Sequence, residues 1–386
     1  MSERSGRLLL DGAFVPGRVR FADGRLTAVE RLAAVADDAA LVVPGLVDLH
    51  VHGYGGADPL EDLAGLSLAL ARTGTTAYLP TLFPGDPARL GVESAELWAR
   101  ARDLAPGTAR VLGTHLEGPF VNPEKAGGLP RDRLVPPSPA ALAALLGSSR
   151  ASDRGIRQLT IAPELPGALE LVRELAGSGV RVSLGHTVAS ADDAARAAEA
   201  GAGGATHLFN AMDGLHHRRA TLAGFALATD ALVAELIGDL VHVGAQAIRI
   251  ALRARGAHGL ALVSDALRAA GTSATTFESH GRRCRVREGA IWLEEDDPRA
   301  APRLTGAEAC QMEAVRRLAR AGVVAPAAAL TMASETPARA LGLEDELGRL
   351  VVGARADLLL LDARRLEPLE VLVGGTAVPG VAAERR

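Results

Sequence analysis

Two histidines one residue apart, His50 and His52, end an apolar run in the stretch PGLVDLHVHGYGG, residues 44–56. Along a strand, residues i and i+2 point to the same face. The spacing therefore presents two imidazoles side by side at a strand's C-terminal end, and neutral imidazole is a common zinc ligand. Four more chemistry-bearing residues occupy comparable places. Glu117 closes an apolar run in HLEGPF, His186 follows one in SLGHT, His207 stands in THLFNAM and Asp265 in SDA. A carboxylate such as Glu117 is expensive to bury after an apolar strand unless it is paired or bound to metal. Singly, a histidine at a strand end is more often a satisfied core residue than a ligand, and Asp265 has an alternative reading as a helix cap. Jointly, five ligand-type residues and one aspartate, all at strand ends, point to one metal centre.

Such a centre needs a fold that brings distant strand ends together. From residue 46, eight strand-like runs occur in order: GLVDLHVH, TAYLPTL, VLGTHLEG, IRQLTIAPE, RVSLGHT, GATHLFNA, LVAELIGD and LALVSDA. Ala/Leu/Arg-rich helical stretches lie between them, among them EDLAGLSLALARTG and ALELVRELAGSG. Eight such units over roughly 220–250 residues predict an α/β chain with a (β/α)8 TIM-type barrel. In that architecture the C-terminal strand ends share one mouth, and His50, His52, Glu117, His186, His207 and Asp265 all fall there.

Residues 1–45 read as short strands around Asp-Gly turns, and 344–386 as strands again. The barrel is already full, so the two ends are expected to pair in a small β-sandwich flanking a barrel of residues 46–343. Segment 120–140, rich in Pro and Gly, is expected to act as a lid, and 272–303 to hold a small hairpin. Helices are expected from about Ala307 to Ala321 and from about Pro326 to Ala340.

Hydrophobic residues make up 48% of the 386, enough for a sizeable core, and the net charge of −4 without a basic stripe argues against nucleic acid. Two cysteines, Cys284 and Cys310, provide no disulfide framework and fit a reducing cytoplasm. The stretch MSERSGRLLLDGAF lacks a long apolar run, so no signal peptide is expected, and no run approaches the ~20 apolar residues of a membrane span.

The motifs PGLVDLHVHGYGG, HLEGPF, GHT, THLFNAM and SDA, in this order, resemble those of N-acetylglucosamine-6-phosphate deacetylases of the amidohydrolase superfamily. The ending GRLVVGARADLLLLD is similar to that superfamily's return into its β-sandwich. The resemblance implies that Glu117, His186 and His207 hold a main divalent metal. His50 and His52, with Glu117 as a bridge, would hold a second. Zinc suits the nitrogen and oxygen donors, with iron or another divalent ion as alternatives. Asp265 would take a proton from the attacking water and pass it to the departing amine. Asn210, the Ala211 backbone, Arg218 and Leu304 would meet the amino-sugar phosphate, with Arg218 on the phosphate and Arg219 solvated. His242 would be lent across the interface of a homodimer.

The chain departs from the family's pattern in three places. Leu129 stands where a lid histidine usually helps polarise the substrate carbonyl. Leu304-Thr305-Gly306-Ala307 replaces Leu-Ala-Gly-Ser, and no Glu-Pro-Gly follows Arg218. A related N-acetyl amino sugar therefore stays open as substrate. So do another amidohydrolase reaction, on an N-acyl amino acid, and a non-catalytic barrel subunit. The one lysine, Lys125, lies in the presumed lid, so a lysine-carbamate bridge at the fourth strand is excluded.

Overall fold

The computed structural model describes residues 1–294 and 303–381. Eight parallel strands follow one another around a barrel: Leu46–Val51, Thr75–Leu82, Thr114–Glu117, Ile156–Ile161, Arg181–Leu184, Gly204–Ala205, Val233–Ile237 and Leu260–Val263. They are numbered here one to eight. The last and first strands close at the mouth, where Asp265 N–H donates to the His50 carbonyl and His52 N–H to the Ala266 carbonyl, at 2.8 and 2.9 Å. Closure thus depends on the backbone of three of the chemistry-bearing residues, His50, His52 and Asp265.

Strand four shows why the sheet closes as it does. Leu159 and Ile161 pack outward with Leu171, Val172 and Leu175 of the helix Ala168–Gly177 in one apolar layer. Gln158 and Thr160, on the alternate positions, are fully buried and bond to polar partners from other strands. Strand five repeats the pattern, with Val182 and Leu184 in the apolar layer and Arg181 and Ser183 bonded to Glu235 and Thr206. Buried polar groups are stable only when satisfied, and these satisfy one another. The helices between strands start at capping side chains, such as Asp62, Ser138 and Ser190, which accept the free N–H groups of the first turn.

Both chain ends build a second sheet of seven strands. Ser2–Leu10, Ala13–Ala22, Arg25–Arg31 and Leu41–Pro44 come from the N-terminal side, and Leu358–Leu361, Pro368–Val373 and Thr376–Ala377 from the C-terminal side. It curls around Leu8, Val19, Phe21, Leu26, Val42, Leu358 and Leu372. The turn before its third strand reaches the far side, where Leu26 N–H donates to Ala354 and Ala356 N–H to Gly24.

Segment 272–303 holds more than a hairpin. Thr276–Ser279, Arg282–Arg287, Ala290–Leu293 and Arg303–Ala307 form an antiparallel sheet. Its last strand claims Ala307, so the helix expected from that residue begins at Gln311 and runs to Arg320. The helix expected over 326–340 is two helices, Pro326–Ala333 and Glu335–Ala340. Pro337 has no N–H to continue the first ladder, but it fits the first turn of a new helix, where that donor is unused.

Candidate metal centre and active site

The strand ends bring together the six residues read from the sequence. Glu117 ends strand three, and its Oε1 lies 3.0 Å from His186 Nε2 and 3.1 Å from His207 Nε2. Those two nitrogens are 3.0 Å apart. On the other side of the same carboxylate, Oε2 lies 3.2 Å from His52 Nε2, while Oε1 is 3.4 Å from His50 Nε2. His50 and His52 face each other through Nε2 at 3.3 Å. Asp265 Oδ1 stands 3.5 and 3.6 Å from these same nitrogens. Two three-residue groups, His50/His52/Glu117 and Glu117/His186/His207, each keep their donor atoms within 4.8 Å, and Glu117 belongs to both.

The hydrogen bonds behind the rings test whether these groups fit a cation. His186 Nδ1 lies 2.8 Å from the Lys125 carbonyl, which can only accept. The proton therefore sits on Nδ1 in the neutral ring, and the Nε2 lone pair faces the Glu117 oxygen and the His207 nitrogen. His50 Nδ1 likewise points at the Glu235 carboxylate, at 3.4 Å, leaving its Nε2 lone pair toward Glu117. Lone pairs aimed at one another repel unless a cation lies between them, so the donor set fits a divalent metal. The carboxylates around the gap also favour positive charge there. Burial opposes a charged His50, but the Asp265 and Glu117 carboxylates outweigh it and hold its pKa well above the usual imidazole range. Burial also opposes ionised Glu117, yet His50, His186 and His207 bring its pKa well below the usual carboxylate range.

Backbone conformation marks the same positions. His186, His207, Ala211 and Asp265 all have left-handed backbone, with φ of 48°, 29°, 49° and 51°. Non-glycine residues pay for that conformation, and it persists where surrounding structure holds it, often at functional sites.

A cavity of about 140 Å³ opens onto this cluster, lined by Glu117, His186, His207 and Asp265 as well as by Asn210, Ala211, His242 and Leu304. The expected lid segment lies across it. Gly127, Gly128 and Leu129 line the cavity, and Lys125 Nζ reaches Asp213 at 2.6 Å on the loop after strand six. A Cβ on Gly128 would come within 2.8 Å of the Thr305 Cα, so the lid passes there as bare backbone. Leu129, 3% exposed, presents only hydrocarbon to the cavity. A larger neighbouring cavity, of about 360 Å³, shares Phe83 with it but touches only His52 of the cluster. Phe83 stacks on His52 and meets the tilted ring of His280, with both ring separations 4.0 Å.

One expected substrate residue is placed differently from the rest. Arg218 lies on the exposed loop 213–220, outside the cavity lining, with its N–H donating to His216 Nδ1. His242, expected to be lent across a homodimer interface, lines the cavity of this chain. Asp239 fastens it there, accepting from the Val241 and His242 N–H groups and meeting His242 Nδ1 at 2.6 Å. Burial opposes a charged His242, yet the hydrogen bond and charge of Asp239, helped by Asp265, raise its pKa above the ordinary imidazole value. Its pairing therefore stabilises the fold fully below about pH 6.5 and less as pH rises through the raised value. Thermal melts should show His242→Asn losing most stability on the acid side of that window and little above it.

Several buried residues around the cluster were not singled out from the sequence. Glu235 is fully buried beneath His50, and its Oε1 accepts from Gln158 and Arg181 at 2.8 and 3.0 Å. His115 packs edge-on against His50, with ring centroids 4.5 Å apart, and meets Thr160 at 2.8 Å. Burial, with His50 nearby, holds the His115 pKa well below its ordinary value. Asp48 receives the N–H groups of His50 and Ser264, and burial pushes its pKa up to about 6.

Residues 41–378 match the amidohydrolase family. The chain belongs to that family. Within it, the chain is 33% identical over 367 residues to the N-acetylgalactosamine-6-phosphate deacetylase of Escherichia coli O157:H7, covering 93% of this chain and 94% of that one. It is 31% identical to the N-acetylglucosamine-6-phosphate deacetylase of Bacillus subtilis (strain 168), over 90% of this chain and 89% of that one. Among solved structures, this amidohydrolase is similar to a mutant N-acetyl-D-glucosamine-6-phosphate deacetylase from Mycobacterium smegmatis in complex with N-acetyl-D-glucosamine-6-phosphate. The TM-score is 0.86 at 30% identity, over 97% of this chain and 98% of that one. The Thermotoga maritima N-acetylglucosamine-6-phosphate deacetylase gives 0.85 at 28%, over 98% and 99%.

Proposed function

We propose that this amidohydrolase removes the acetyl group from N-acetylglucosamine 6-phosphate, releasing acetate and glucosamine 6-phosphate. The observation that carries the reading is the shared Glu117, with two histidines on each side and Asp265 facing the same gap. Glu117, His186 and His207 would hold one divalent ion, and His50, His52 and Glu117 a second; zinc is the proposed metal. Such an ion supplies Lewis acidity, polarising a carbonyl and making water a stronger acid.

The chain's own residues do the rest. Asp265, 8% exposed, is placed to take a proton from the water that attacks the acetyl carbon. The C–O bond forms, the C–N bond breaks, and Asp265 returns the proton to the amine nitrogen, which leaves poorly without it. Leu129 excludes water but donates no hydrogen bond to the carbonyl. His242, whose pKa is raised by Asp239 against burial, suits a phosphate or a developing negative charge. Asn210, whose amide is held by the His207 and Leu208 carbonyls, and the Ala211 backbone flank the sugar.

Arg218 is proposed as a phosphate ligand, brought in when its exposed loop closes or when a second copy docks. A homodimer is proposed, and light scattering on the purified protein measures it. Arg218→Ala should raise KM for the phosphorylated sugar about 10-fold or more and leave an unphosphorylated sugar unaffected. Equal effects on both would remove Arg218 from phosphate binding. The cytoplasm is the proposed location. In support, Cys284 and Cys310 are unpaired, and among the described residues no helix is long and apolar enough to cross a membrane.

The test is acetate release after zinc loading, from N-acetylglucosamine and N-acetylgalactosamine, each with and without 6-phosphate, and from an N-acetyl amino acid. The highest kcat/KM is expected for N-acetylglucosamine 6-phosphate. A preference for the galacto sugar would move the assignment to the epimer, and a preference for the amino acid would overturn it.

A further inference from the structure

We infer that Glu235 is a positioning residue that sets the tautomer of His50 and thereby determines whether the His50/His52/Glu117 group can take an ion. The inference rests on the two-ion reading above and goes beyond it, to residues that touch neither ion nor substrate.

The four histidines around Glu117 are not held alike. His186 is oriented by a carbonyl and His50 by the Glu235 carboxylate, whereas Nδ1 of His52 and of His207 has no protein partner among the described residues. Glu235 itself is fixed from below. Its Oε1 receives Gln158 Nε2 and Arg181 Nη1, and Arg181 Nη1 also donates to Gln158 Oε1 at 2.6 Å. Arg181 and Glu235 side chains are 6% and 0% exposed. Only Glu235 Oε2 is left for His50, and as a carboxylate oxygen it can only accept. The His50 proton is thereby kept on Nδ1, and Nε2 presents its lone pair to the gap shared with His52 and Glu117.

This arrangement makes an unusual demand on substitutions. In Glu235→Gln, the two donors from Arg181 and Gln158 hold the amide oxygen in the Oε1 place. The amide NH2 then faces His50 Nδ1, which must accept. The His50 proton moves to Nε2 and blocks the lone pair. In Glu235→Ala, His50 Nδ1 has no partner and neither tautomer is imposed. A purely structural role would make alanine the worse variant; the tautomer role makes glutamine the worse one.

The experiment titrates zinc into wild-type, E235A and E235Q protein, with bound metal counted by mass spectrometry and folding checked by near-ultraviolet circular dichroism. Wild type should bind two ions. The second should weaken on the order of 10- to 100-fold in E235Q, with E235A between the two and the first ion unchanged. Equal second-ion affinity in wild type and E235Q, or E235A weaker than E235Q, would overturn the inference. Wild type saturating at one ion would instead overturn the two-ion reading on which it rests, before any variant enters.

Should the variants not fold, 15N-histidine spectra of the wild-type zinc form decide. A protonated His50 Nδ1 supports the inference, and a protonated Nε2 overturns it.

Discussion

Asp265→Asn should keep the metal content of the wild type and lose turnover by about 10²- to 10⁴-fold, the usual contribution of a positioned acid or base. The amide has nearly the shape of the carboxylate. The backbone of Asp265, which receives Ala307 N–H and donates to the His50 carbonyl, is untouched. What is lost is the ability to accept a proton from water and return it to the amine. The side chain is one of three carboxylate or imidazole neighbours of His50 Nε2, and Glu117 and His52 remain, so the ions should remain too. Metal analysis beside steady-state kinetics checks both halves. Near-normal turnover would remove Asp265 from the reaction, and loss of metal would make it a ligand first.

Glu117→Gln should be more damaging and in a different way. Glu117 is the one residue common to both candidate groups, with Oε1 toward His186, His207 and His50 and Oε2 toward His52. An amide offers one oxygen and places an NH2 where the other was, so one group loses its acceptor and meets a donor. The expected result is loss of at least one ion and a drop in activity to near background, with the surviving ion bound by the intact side. Substrate binding through His242 and Asn210 is far less affected, so the defect falls on kcat and metal content together. Two ions retained at wild-type affinity would mean that Glu117 does not bridge.

How far the sequence could be read depends on what the physics asks of each residue. His50, His52, Glu117, His186, His207 and Asp265 stood out because ligand chemistry admits few residue types and the barrel gathers strand ends at one mouth. The two-ended sheet was legible because eight strands fill a barrel and leave the others to pair elsewhere. Glu235, Arg181 and Gln158 were hidden by their strands. Polar residues alternating with Leu, Ile and Val read as a solvent-facing pattern, yet here they face the barrel interior and satisfy one another. The anchoring of His242 was equally hidden, since a histidine three residues after an aspartate does not announce the Asp239 contact that holds its ring beside the cavity. The split of the last long helix could have been anticipated from Pro337, which lacks the N–H that a continuous helix requires.

X-ray diffraction from crystals of the zinc-loaded enzyme, with anomalous maps at the zinc edge, tests the arrangement of the centre most directly. The account predicts one peak among Glu117, His186 and His207 and a second among His50, His52 and Glu117. Peaks confined to surface sites, with the four imidazoles around Glu117 left uncoordinated, would contradict it.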